Sequence, residues 1–205
     1  MENTIKKGLT VNEMDALKER FINIFNEKVK REGADKLLNY LQSPQCDFFE
    51  APASTKFHGS YPGGLLQHSL NVYDCLVDIL SRERYKTVYG VNYSEESVAI
   101  AALLHDICKA GVYVRDVRNV KIDGKWESVP YYSFEDNLPF GHGEKSFYIA
   151  SSFMKLTRDE AFAIRWHMGF SDTDNKAAVG KTFEMFPLAF ALSTADMEAT
   201  YFMEK

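Results

Sequence analysis

The sequence predicts a mostly α-helical domain interrupted by a single β-hairpin at about 112–134. Three observations carry that prediction. Apolar residues recur at helical spacing behind recognisable caps through most of the chain. The period switches to two on either side of Asp123-Gly124, a dipeptide suited to a two-residue type I′ turn. Finally, the apolar run Val98-Ala-Ile-Ala-Ala-Leu-Leu104 leads straight into His105-Asp106. A segment apolar all round reads as a buried helix, and a carboxylate delivered there is costly unless paired, hydrogen-bonded or metal-bound.

With 205 residues, 45% hydrophobic and 26% charged, the chain fits one domain able to bury a sizeable core. Residues 1–7 lack the apolar stretch of a signal peptide, and no run approaches the roughly 18 apolar residues of a membrane span. A soluble, cytoplasmic protein with no membrane partner is therefore expected. Cys46, Cys75 and Cys108 are odd in number and form no CxxC pair, so reduced structural thiols are expected rather than disulfides or a thiolate zinc site. The net charge of −5 argues against a strong footprint on duplex nucleic acid.

Thr10-Val-Asn-Glu13 reads as a capping box before a helix at about 11–31, with Met14, Leu17, Phe21, Ile24 and Phe25 on one face and Gly33 as its stop. A short helix at about 34–42 ends before Pro44. Residues 43–64 form a long loop punctuated by Pro and Gly, a length more often functional than idle. It carries Lys56, His58 and Tyr61. In the helix that follows, at about 64–83, His68 shares a face with Leu65, Val72 and Leu76 and so points inward. Ser94 caps the helix holding the apolar run and the His105-Asp106 pair, and Gly111 closes it.

After the hairpin, with Pro130 marking an edge strand, Gly141-His142-Gly143 opens a helix at about 143–155. Thr157-Arg-Asp-Glu160 is a second capping box, for a helix at about 158–168 in which His167 lies with Ala163 and Ile164. Residues 170–182 read as an exposed loop. Pro187 starts the last helix, where Asp196 lies with Leu192 and Ala199.

The inward-facing polar residues are thus His68, His105, Asp106, His142, His167 and Asp196. A lone histidine on an apolar face is usually a satisfied core residue. Four histidines and two carboxylates on the buried sides of different helices instead point to a nitrogen/oxygen metal site. Six ligands exceed what one catalytic ion needs, which suggests two divalent transition-metal ions bridged by Asp106. Two such ions can generate hydroxide and polarise a phosphoryl oxygen, chemistry suited to phosphate-ester hydrolysis. The imidazole and carboxylate mixture favours iron or manganese, with cobalt and nickel also suited.

This ordered set resembles the HD-domain metal-dependent phosphohydrolase superfamily, and His142 and His167 resemble the extra ligands of its binuclear branch, which includes cyclic-dinucleotide phosphodiesterases. The resemblance implies an HD-type helical bundle over 1–205, with a metal-site core at 58–200 and an N-terminal helical extension at 1–45. It implies cleavage of a phosphate ester of a nucleotide or short oligonucleotide by a hydroxide held between the two ions. Asp106 would then be catalytic as well as a ligand. Lys109, one turn after His105, resembles the lysine that lies over the substrate phosphate in related members, and Cys108 stands where many relatives have glycine. The stretch Ala53-Ser-Thr-Lys-Phe-His58-Gly-Ser-Tyr61 is similar to HD-type 3′–5′ exoribonucleases, which implies phosphate contacts from Lys56 or His58. Arg115, Arg118, Lys145 and Arg165 are the remaining basic candidates for facing substrate. Two other readings stay open: a mononuclear 5′-nucleotidase-like enzyme in which His142 and His167 bind phosphate, and a non-catalytic metal-bearing nucleotide sensor or partner-binding protein.

Overall fold

The structure is a computed structural model, described here for residues 8–122, 124–171 and 175–204. Helix α1 (Val11–Lys28) starts at the expected capping box: the Thr10 hydroxyl accepts from Glu13 N at 3.3 Å, and Thr10 N donates to the Glu13 carboxylate at 2.8 Å. It ends three residues before the sequence predicts, because the backbone N–H groups of Lys30 and Arg31 turn out to bind the Glu96 carboxylate at 2.7 and 3.0 Å. The Arg31 guanidinium then forks onto the buried Glu160. A charge-assisted contact to a distant helix outweighs continuation of one more helical turn.

Helix α2 (Ala34–Leu41) precedes the long loop, which is packed rather than loose: Phe48, Phe49, Ala51 and Ala53 are buried. The loop is laced to the start of α3 (Gly64–Ser81) by Gly63 N to Glu50 O and Leu65 N to Ala51 O, both at 3.0 Å. A Cβ at Gly64 would meet Gly59 O at 2.0 Å, so only glycine lets the loop close over the helix here. That closure sets His58 against His68. Helix α3 thus ends two residues before the expected 83, and a short helix not anticipated from the sequence, α4 (Glu83–Thr87), follows it.

Helix α5 (Glu95–Leu104), capped by Ser94 through Ser97 N at 3.1 Å, is buried continuously from Ser97 to Leu104. Its residues divide between two apolar clusters. Ile100, Leu103 and Leu104 join Phe21, Phe25, Leu37 and Leu66, while Val98, Ala101 and Ala102 join Val72, Leu76, Ala163 and Leu188. Because α1 and α2 feed the first cluster, residues 11–41 share the core that carries α3 and α5. Each Leu or Ile so buried is worth about 1.5–3 kcal/mol, which makes α5 the wall common to both halves.

The helix does not run on through His105-Asp106 to Gly111, as the sequence suggests. It stops at Leu104, and a 3-10 turn covers Ile107–Lys109. The His105 ring supplies the reason: its Nδ1 lies 2.8 Å from Ala102 O, contesting the carbonyl on which further helical bonding would depend. Asp106 accordingly leaves the helical region, at φ −109° and ψ 18°.

Strands β1 (Tyr113–Ile122) and β2 (Lys125–Phe134) pair antiparallel from Tyr113 opposite Phe134 to Ile122 opposite Lys125. The predicted hairpin is present, although Asp123 of its turn lies outside the described residues. Val112 and Tyr132 are buried at its root, and the rest is largely exposed. Helices α6 (His142–Phe153), α7 (Arg158–Trp166) and α9 (Pro187–Glu198) complete the core, with α3 packed on α5 and α9, and α7 on α6 and α9. A Cβ at Gly143 would meet Arg165 O at 2.1 Å, so glycine is what brings the start of α6 against α7. The loop expected at 170–182 is instead largely helical: α8 (Lys176–Met185) is capped by Asn175 and buries Val179 and Thr182, one turn apart. Residues 172–174 lie outside the described residues. No helix among the described residues is long and apolar enough to cross a membrane.

Candidate metal centre

Three helix ends and two helix interiors deliver the six predicted ligand residues to one place, with Asp106 at its centre. The two carboxylate oxygens face different groups. Oδ2 lies 2.6 Å from Lys109 Nζ, 3.4 Å from His105 Nε2 and 3.5 Å from His68 Nε2. Oδ1 lies 2.7 Å from His142 Nε2 and 3.3 Å from His167 Nε2. Asp196, from α9, reaches His68 Nε2 at 3.3 Å.

Local structure fixes which nitrogen of each ring faces inward. His105 and His167 both stand at helix C-caps, where their Nδ1–H groups donate to the carbonyls three residues back, Ala102 at 2.8 Å and Ile164 at 2.7 Å. His68 lies inside α3 and finds its Nδ1 acceptor elsewhere, in the Glu204 carboxylate at 3.1 Å. Once Nδ1 holds the proton, the neutral ring presents a bare lone pair at Nε2. The Nε2 atoms of all three rings point at one carboxylate and, in the case of His68 and His105, at each other across 3.2 Å; His68, which Asp196 and Glu204 hold as an imidazolium in the metal-free site, would give up its Nε2 proton to a metal ion.

That arrangement needs a positive charge between its members. The clearest sign is His167 Nε2: it is buried and only 3.3 Å from Asp106 Oδ1, yet among the described residues it has no hydrogen-bond partner. Nitrogen and oxygen donors around a buried carboxylate, each imidazole oriented by a second acceptor, fit a divalent transition metal. Ligand atoms lie within 4.8 Å of one another in the sets His68/His105/Asp196, His105/Asp106/His167 and Asp106/Cys108/His142.

The electrostatics follow from burial and pairing. Burial raises the Asp106 carboxyl, but Lys109 and the neighbouring histidines more than reverse this and hold it well below the usual range. Burial alone would discharge Lys109; Asp106, followed by Tyr113, keeps its amine above the ordinary value. His105 is held low by burial against the pull of Asp106. For His68 burial is overcome by Asp196 and Glu204, and its pKa is pushed up to about 10. Cys108, 3.3 Å from His142 Nδ1, is raised to about 12 by burial and by Asp106, so it stays a neutral thiol.

The substrate-contact candidates divide sharply. Lys109 joins the cluster directly, and the His58 ring lies 5.0 Å from that of His68, tilted by 43°, with its buried Nε2 unpartnered among the described residues. Lys56 is exposed beside the Phe57 ring, and Arg115 is exposed on β1 opposite Tyr132. The Lys145 amine is buried against the Asp136 carboxylate. Arg118 stacks on Tyr131, and Arg165 on Trp166 while pairing with Glu144. Glu204 and Asn71, whose Nδ2 donates to Glu204 at 2.9 Å, escaped the sequence reading. Asn71, a polar residue one turn beyond His68 on the same helix face, was the one local signal; Glu204 gave none.

A helical bundle that gathers four histidines and a second aspartate around the buried Asp106 carboxylate defines a candidate metal-binding domain of the HD kind. The HD domain family pattern matches residues 65–198, and the chain belongs to that family. It is also 28% identical over 127 residues to a dihydroneopterin 2′,3′-cyclic phosphate phosphodiesterase of Methanocaldococcus jannaschii, a match that covers 57% of this chain and 48% of that protein. The match thus spans about half the length of that relative. No solved structure matches the chain.

Proposed function

We propose that this chain is a metal-dependent phosphohydrolase, folded as one HD-type unit, that cleaves a phosphate ester of a nucleotide or short nucleic acid. The observation that carries the reading is the division of Asp106: one oxygen faces His68 and His105, the other His142 and His167. Asp106 would serve both sets of ligands, with Asp196 completing the first, and iron or manganese would suit these donors best. When bound, such ions supply Lewis acidity toward phosphoryl oxygen and lower the pKa of water toward neutrality.

The chain's own groups do the rest. Asp106 and the Nδ1 anchors hold the imidazoles in place, so little reorganisation accompanies reaction. Lys109, kept cationic by Asp106, supplies positive charge for the phosphate of an incoming substrate, and the unpartnered His58 Nε2 is placed to hydrogen-bond it. The apolar walls of α5 and α9 exclude bulk water, which strengthens both contacts.

The relative's name directs attention to phosphodiesters, and a 2′,3′-cyclic phosphate is the first substrate class to test. Protein loaded with Mn²⁺ or Fe²⁺ is incubated with cyclic, linear and terminal phosphate esters of nucleosides, with products resolved by chromatography and Asp106→Ala as control. Turnover of one class, absent in the control, is expected; no turnover of any class overturns the reading in favour of a sensor. Metal analysis separates one ion from two: His142→Ala is expected to retain one ion where the parent holds two.

A further inference from the structure

We propose that Glu204, steadied by Asn71, is a positioning residue for His68, so that the carboxylate rather than the helix fixes which nitrogen of that ring faces the metal. The inference rests on the metal-dependent reading above, and it concerns a residue beyond the matched stretch 65–198.

The argument begins from a difference among the histidines. His105 and His167 orient themselves, because each stands where its helix ends and a carbonyl three residues back is open to its Nδ1. His68 has no such option. It is the fifth residue of α3, surrounded by carbonyls already committed to helical bonds, and the Ser69 hydroxyl takes a further share of Leu65 O at 2.9 Å. Its Nδ1 must find an acceptor from another part of the chain.

Glu204 supplies it. After α9 the backbone passes through a π-helical turn over Ala199–Met203 that packs against α3, and the Glu204 side chain then enters the site with 2% exposure. Both of its oxygens lie 3.1 Å from His68 Nδ1, and Asn71 donates to Oε1 at 2.9 Å. A buried carboxylate costs several kcal/mol unless its lone pairs are used, and here they are used on one ring and on the amide that shares its helix face. A carboxylate acceptor also makes Nε2 a stronger donor to a cation than a peptide carbonyl does. His68 is therefore set apart from His105 and His167 by its partner.

Glu204→Ala, Glu204→Gln and Asn71→Ala are compared with the parent protein for Mn²⁺ affinity by equilibrium dialysis, for kcat and KM at saturating Mn²⁺, and for metal-free Tm. Glu204→Ala is expected to weaken Mn²⁺ binding by about 10–100-fold. Glu204→Gln, which keeps an acceptor for Nδ1–H, is expected to recover most of that loss, with kcat near the parent's once Mn²⁺ is saturating. Asn71→Ala is expected to shift affinity in the same direction by less. Should Glu204→Ala fail to fold, the other two variants carry the test, and parental affinity in both overturns the assignment. Undiminished affinity in a folded Glu204→Ala also overturns it, and so does a Glu204→Gln as impaired as Glu204→Ala, since that marks Glu204 as a ligand itself. A parent protein that binds no Mn²⁺ overturns the metal reading instead.

Discussion

The end of α5 and the hairpin that starts a few residues later are neighbours in sequence and opposites in physical character. From Val98 to Cys108 every side chain is buried, and each polar group is held by at least one other. Over residues 114–121 and 124–129 the ribbon is mostly in solvent, with Val117 59% and Trp126 73% exposed. In the first region position is over-determined, so chemistry that depends on fractions of an ångström can be sited there. In the second, side chains can change with little consequence for the core. The difference teaches that the buried chemistry of such a domain and its solvated surface can be separated by a single glycine turn, here at Gly111.

The largest break in that contrast is Asp106→Asn. With the shared anion gone, metal content and turnover are both expected to fall to background, measurable by metal analysis and product release. Lys109→Ala is expected to leave metal content intact while lowering kcat by about 10²–10³-fold, the usual size of losing one charge-stabilising group. Retained kcat would place Lys109 outside the reaction.

A smaller effect should appear in the pH dependence of the metal-free protein. His58 is held down to about 4, chiefly by burial and then by His68 and Lys109, against 6.5 when unfolded. Stability is therefore expected to fall as pH drops from 6.5 toward 4, where the unfolded chain takes up a proton that the folded one refuses. His68 works the other way: raised to about 10, it contributes fully below 6.5, and that contribution is lost as pH climbs through 10. A Tm maximum near neutrality follows, with His58→Asn softening the acid limb and His68→Asn the alkaline one. A flat Tm profile in chelator would contradict both assignments. The smallest expected effect belongs to the ribbon. Trp126→Ala should alter stability by less than about 0.5 kcal/mol, as surface changes usually do, and denaturant titration resolves anything larger.

Much of this was legible beforehand. Thr10-Glu13 and Thr157-Glu160 close as reciprocal capping boxes, and the period-two arms around residues 123 and 124 pair in register. The six histidines and aspartates also meet at one place: His68 and Asp196 lie on the inner faces of their helices, His105 and Asp106 close an apolar run, and His142 and His167 stand at helix ends that face it. The misreading at 170–182 has a plain cause. Gly180 and flanking charges mask an apolar seam in which Val179 is buried and Phe183 and Phe186 pack on the cluster built by α9 and its neighbours.

What the sequence determined by itself is what local physics decides: caps, periodicities, turn chemistry, and the order in which ligand-type residues occur. Tertiary structure alone decided where α5 stops, which oxygen of Asp106 faces which histidine, and that Glu204 returns across 136 positions to hold His68. The reason is competition. A helix ends where a side chain outbids the backbone for a carbonyl, and a ring turns toward whichever acceptor the fold brings to it; neither contest can be judged until the distant partners are in place.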